Sequence, residues 1–174
     1  ERGDAELVVR IGNDLENNYY EYRQPVTPSN ENYPWQPFDP ANSGQLEQEA
    51  EEVWLYEENS MNIVLSAFNQ LKQLRDQENG NQFSDIYERS DILEDAVPGA
   101  VVAVKGNPSL SRVSEVGLGI RNPYDPDNPG GPGVPVLNAQ MWLNELRVSG
   151  FDNEKGWAAN DHSSLKLADF APLN

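Results

Sequence analysis

The sequence contains no cysteine. That single absence excludes disulfides, thiolate nucleophiles and cysteine-ligated zinc. It suits a cytosolic protein, and equally a bacterial envelope protein that does without disulfides. Histidine is almost missing as well, with His162 the only one. Basic side chains are scarce: 12 Lys and Arg face 29 Asp and Glu, for a formal net charge of -17. A field that negative repels phosphate backbones and anionic lipid, and no local basic patch offsets it, so nucleic acid is not expected as a partner. No apolar run approaches the ~18 residues of a membrane helix, and no signal peptide is evident.

What is present fits one folded domain. A length of 174 residues can bury a substantial core, and the 37% of hydrophobic residues come in short dense runs between long polar loops. The chain starts at Glu1-Arg2-Gly3-Asp4 without methionine, which reads as a piece cut from a longer protein.

Period-2 alternation places the strands. Leu7, Val9 and Ile11 alternate through 6–11, and Gly12-Asn13-Asp14 reads as the turn after them. From Tyr19 to Val26, Tyr20, Tyr22 and Gln24 share one face and Tyr19, Glu21 and Arg23 the other, with Pro25 and Pro28 closing the run. Residues 27–52 read as a long proline-rich and acidic loop with room for a short helix. Val53–Tyr56 and Met61–Leu65 read as short extended pieces. Ser66 is a plausible N-cap for a helix carrying Phe68, Leu71 and Leu74 and ending before Asn79-Gly80. The stretch 84–93 has no clear period.

Ala100–Val104 is a strong strand broken by Gly106-Asn107-Pro108. In 113–120, Val116, Leu118 and Ile120 lie on one face and Gly117 and Gly119 on the other. The loop NPYDPDNPGGPGVP is too rich in proline for a ladder interior. Residues 140–148 and 164–170 supply the last strands. This pattern predicts a mainly β fold, an antiparallel β-sandwich of jelly-roll type with one or two short helices. Leu7, Val9, Ile11, Val102, Val104, Val116, Leu118, Ile120, Leu165 and Leu167 are its expected core, and Trp142 is expected to be buried in the 140–148 strand.

Each candidate for chemistry has a plainer reading. Asn144-Glu145 could supply the acid/base of a glycosidase, but that needs a second carboxylate nearby, usually on a barrel of about 250 residues. Glu145 and Arg147, two apart on one strand face, more simply pair with each other or across strands. His162 would serve a Ser-His-Asp hydrolase only with a nucleophile on a sharp turn, and no G-x-S-x-G occurs. Asp125, Asp127 and Asn128, and again Asp152, Asn153 and Glu154, offer hard oxygen ligands for calcium, but not at EF-hand spacing, and read as turn residues. Gly117-Leu118-Gly119 precedes no helix that could hold a phosphate. The tyrosines, tryptophans and acidic runs could form a sugar-stacking platform, although most are expected to pack the core. No residue is therefore assigned a catalytic, cofactor-binding or metal-ligating role.

The segments VVRIGNDLENNYYEY (8–22), VWLYEENSMNIVL (53–65), VVAVKGNPSLSRVSEVGLGIRNP (101–123) and WLNELRVSGFDNEKGWAANDHSSLKLADF (142–170) are distinctive as an ordered set. They resemble segments of the SprA/Sov family, the very large outer-membrane translocon proteins of the type IX secretion system. The resemblance implies a domain of a β-barrel protein through which folded cargo leaves the periplasm, with gliding supported in some members. Its implied partners are other secretion-system components or secreted cargo. It supplies no catalytic residue. Because membrane-barrel strands alternate over about ten residues with an apolar lipid face, the short, charged strands read here imply a soluble, non-enzymatic structural and interaction domain. It would lie on the periplasmic or extracellular side of the outer membrane. The alternative is a carbohydrate-binding, lectin-like jelly roll.

Overall fold

The computed structural model describes residues 3–29, 44, 54–80, 82–143 and 145–149. The chain divides into two units, Glu1–Met141 and Trp142–Asn174, and the fold described here is that of the first. Its element order is β1 (Ala5–Asp14), β2 (Asn18–Val26), α1 (Tyr56–Asn59), α2 (Leu65–Asn79), β3 (Tyr87–Arg89), β4 (Val101–Lys105), a 3-10 turn (Leu110–Arg112) and β5 (Glu115–Arg121). The strands form one antiparallel sheet in the order β3-β4-β2-β1-β5. The mainly β, antiparallel expectation holds. Among the described residues there is a single sheet, and what covers it is helix, so a sandwich has no second layer of strands there.

β1 and β2 make a hairpin in the register Val9↔Tyr22 and Ile11↔Tyr20. Gly12 and Asp14 belong to β1, across a bulge, and the turn expected there lies instead at Leu15–Asn17. The reason is local. Asp14 Oδ1 accepts from the backbone N–H of Glu16 at 2.9 Å and of Asn17 at 3.1 Å, so the aspartate organises the turn that follows it. Those donors hold the Asp14 carboxyl below the usual aspartate range.

The strands are longer at the hairpin than the sequence pattern suggests, ten residues in β1 and nine in β2, and Pro25 sits inside β2. Register puts Leu7, Val9, Ile11, Tyr20, Tyr22, Gln24, Val102, Val104, Val116, Leu118 and Ile120 on one face. α2 packs on the β4 half of that face. Phe68 stacks on Tyr20 with ring centroids 5.0 Å apart, and Phe68, Leu71, Tyr20, Tyr22, Val102 and Val104 are buried together.

α2 starts one residue before the expected cap. Val64 is the N-cap, without a side-chain bond, so Ser66 falls inside the first turn. Gly80 closes the helix with φ 60°, the left-handed C-terminal residue that glycine favours. The stretch 53–65 holds no strand among its described residues: Tyr56–Asn59 is a helical turn, and Asn59 clamps Thr27 through two 2.8 Å bonds. The unsettled 84–93 stretch contains β3, tied to α2 by Tyr87 Oη–Glu78 at 2.7 Å and Arg89–Glu78 at 3.0 Å.

The core expectation needs one correction. Val9, Val102 and Val104 are buried, and Leu7 and Ile11 partly so, but Val116, Leu118 and Ile120 are 50%, 40% and 36% exposed. They lie on the apolar face as expected, yet on an edge strand that α2 does not reach. Leu165 and Leu167 lie outside the described residues, as does most of 27–52.

Candidate functional site

The opposite face of the sheet carries charge. Val9 and Tyr22 face α2, so their neighbours Arg10, Glu21 and Arg23 face away from it. The Glu21 carboxylate, its side chain only 4% exposed, sits between two guanidiniums: Arg10 Nε at 2.5 Å and Arg23 Nη1 at 3.5 Å. Arg23 continues to Glu88 on β3, and Arg10 also lies over the Tyr19 ring at 4.3 Å and donates to the Leu15 carbonyl at 2.9 Å. At the β5 edge, Arg121 pairs with Glu6 at 2.5 Å. A carboxylate this buried is tolerable only because it is paired on both sides.

The second constellation is the loop Lys105-Gly106-Asn107-Pro108-Ser109 after β4. Gly106 has φ 74°, and a Cβ there would strike the Asn17 carbonyl and the Asn18 backbone. Only glycine fits. Four segments converge on the loop: α2, the stretch at Phe83, the hairpin turn and β2. Arg75 of α2, fully buried, donates to the Gly106 carbonyl at 2.5 Å and lies 4.7 Å from the Phe83 ring centroid. The Gly106 N–H donates to the Phe83 carbonyl at 3.0 Å. Tyr20 Oη and Lys72 Nζ both donate to the Pro108 carbonyl, at 3.0 and 2.9 Å. From the start of β2, Asn18 Oδ1 accepts the Asn107 N–H at 2.6 Å, while Lys105 Nζ donates to the carbonyl of Glu16 in the hairpin turn at 2.8 Å. The loop ties the hairpin, the helix and β4 together.

Burial pushes the Tyr19, Tyr20 and Tyr22 phenols above their usual range. These tyrosines are core, as expected, and not a sugar platform; Tyr22 Oη bonds Gln24 at 3.1 Å. Among the described residues no buried side-chain polar atom lacks a partner, and no cluster of acidic or histidine side chains could hold a metal. A shallow depression at the β3 edge is lined by Glu88, Arg89, Ser90, Asp91 and Val101. Its charges are engaged, Arg89 with Asp91 at 2.7 Å and Glu88 with Arg23.

The sequence candidates do not converge on a site. Asp125 Oδ1 accepts the Asp127 N–H at 2.9 Å and the Asp125 carbonyl accepts from Asn128 at 3.1 Å, so these residues form a turn, the plainer of their two readings. Gly117 packs against Leu15, and Gly119 faces open space. In the second unit, Glu145 pairs with Arg147 at 3.4 Å, and both are exposed. The expected strand is not there: the described residues of 140–148 are irregular, Glu145 has φ 56°, and Trp142 is 74% exposed, where burial was expected. Without a paired strand nothing covers the indole among the described residues. Asn144, Asp152, Asn153, Glu154 and His162 lie outside them.

Sequence reading missed Arg75, Glu21 and Gln24 as buried polar residues. Arg75 was visible in principle, since Phe68, Leu71 and Arg75 fall on one helical stripe. Glu21 was not, because its partner Arg10 becomes a neighbour only once the hairpin register is known.

Compared with known proteins, residues 1–174 match the family model SprA_N, described as motility related/secretion protein. No curated protein and no solved structure matches. The match spans the whole chain, including the clamped KGNPS loop and the tyrosine hairpin that carried the sequence resemblance, and the chain belongs to this family of motility-related secretion proteins.

Proposed function

We propose that this chain is a non-enzymatic structural and interaction domain of an outer-membrane protein-export translocon, of the type IX secretion class that also supports gliding in some members. The observation that carries the reading is the family match over residues 1–174. The use to which the charged groups are put supports it. Glu21, Arg75, Arg10 and Arg23 are each engaged in holding strands, helix and loop together, which leaves them without the free, convergent geometry of an acid/base pair. Among the described residues, α2 covers the β4 half of the apolar face and the other face carries ion pairs, a pattern unlike the continuous apolar lipid face of a membrane-barrel strand. The domain therefore works beside the membrane-spanning part of its parent protein, against other secretion components or cargo. Removing residues 1–174 in frame from the parent protein tests this. Cargo export is expected to fail while the envelope stays intact; normal export without the domain contradicts the reading.

A further inference from the structure

β5 ends the sheet among the described residues, with one flank paired to β1. Natural edge strands are usually blunted by proline, lysine, a bulge or an inward charge. The run Val116-Gly117-Leu118-Gly119-Ile120 has none of these, and its three apolar side chains stand exposed. Charges flank it on both sides: Glu115 before it and Arg121 after it.

The order of these residues reads nearly the same in both directions. Let a second strand of the same sequence run antiparallel, centred on Leu118. Leu118 then meets Leu118, Val116 meets Ile120, Gly117 meets Gly119, and Glu115 meets Arg121. Alternation keeps every pair on one face of the extended sheet. The apolar pairs continue the face that α2 covers further along, and the glycines face each other on the charged side. Glu115 is exposed, and each Arg121 already leans on Glu6 of its own chain at 2.5 Å, so the incoming Glu115 adds a second carboxylate to that guanidinium. We propose that β5 is a self-complementary docking edge, and that its occupant is a second copy of this chain, paired two-fold and antiparallel about Leu118.

The interface is isologous, as two-fold contacts are. It is also short, so association is weak and concentration-dependent. The charge of -17 on each copy opposes it, and physiological salt, with a screening length of about 8 Å, is needed to relieve that repulsion.

Because the chain has no cysteine, single substitutions read the register directly by oxidative cross-linking in physiological salt. Opposed residues of antiparallel strands sit within disulfide reach. Leu118→Cys is expected to form a disulfide-linked dimer. Val116→Cys alone and Ile120→Cys alone are expected to form little, because each is offset from its own copy by four residues, roughly 13 Å. Mixed together, those two variants are expected to cross-link to each other. Adding Glu115→Arg to Leu118→Cys opposes Arg to Arg and should cut the yield about tenfold. Equal dimer yield from all three single variants would mean random collision and overturn the proposal. So would no dimer from Leu118→Cys together with none from the mixed pair.

Discussion

Arg75 of α2 donates to the carbonyl of Gly106, 31 residues further along the chain, at 2.5 Å with its side chain fully buried. This bond joins the helix to the loop that also receives Tyr20, Lys72 and Asn18. Arg75→Met keeps much of the stem but leaves the Gly106 carbonyl unpaired and Asp76 without its guanidinium. The expected loss is about 2–4 kcal/mol, seen as a lower urea midpoint with an unchanged slope. A loss below ~0.5 kcal/mol would show that the loop does not depend on this bond.

Gly106→Ala tests the same junction from the backbone side. A φ of 74° disfavours any side chain, and the new methyl meets the Asn17 carbonyl. The substitution should cost at least ~2 kcal/mol. Gly119→Ala, where nothing lies within 4 Å of the added carbon, is the matched control and should be nearly silent.

The buried and the exposed ion pairs of this face should behave differently. Glu21→Gln leaves Arg10 and Arg23 beside a neutral amide; the Glu21 side chain is 4% exposed but Arg10 is 38% exposed, so the cost is about 2–3 kcal/mol, below that of a wholly buried pair. Arg121→Ala breaks a pair whose arginine is 46% exposed and should cost at most about 1 kcal/mol. Thermal melts of both variants in parallel decide the order; equal losses would contradict the burial argument.

Much of this was legible in the residues themselves. Alternation found β1, β2, β4 and β5 and their faces, because apolar side chains at period 2 leave few other options. The helix was visible through Phe68 and Leu71. The depth of burial was not, since it depends on where α2 lands, and α2 lands on β4 and leaves Val116, Leu118 and Ile120 open. The sandwich was inferred from the spacing of strand-like runs along the whole chain; of the last two, 140–148 holds no strand among its described residues, and 164–170 lies outside them. The KGNPS loop was recognisable as a motif before its purpose was. Its partners Arg75, Tyr20 and Asn18 lie 31 to 89 residues away, and only the fold brings them to it.

Tyrosine ionisation supplies a pH test. Burial raises the folded-state values of Tyr20 and Tyr22, so the unfolded chain loses its phenolic protons first. Their contribution is fully present below pH ~10 and is lost as pH rises through the folded values. Ultraviolet difference spectra should show these two phenols titrating late and together with unfolding. Early, reversible ionisation with the fold intact would contradict their burial. At the acid end, Asp14, held low by the Glu16 N–H, and Asp91, held low by Arg89, contribute stability above the usual aspartate value that is lost as pH falls through their lowered values.

The central claim, that the residues of this domain hold structure and carry no chemistry, is tested most directly in the parent protein by measuring folded abundance and cargo export together for two variants. Arg75→Met should lower export in step with abundance. Glu145→Gln, which alters an exposed pair with Arg147, should leave both unchanged. If Glu145→Gln stops export while abundance and melting temperature stay at the parent level, the glutamate acts directly and the structural account is wrong.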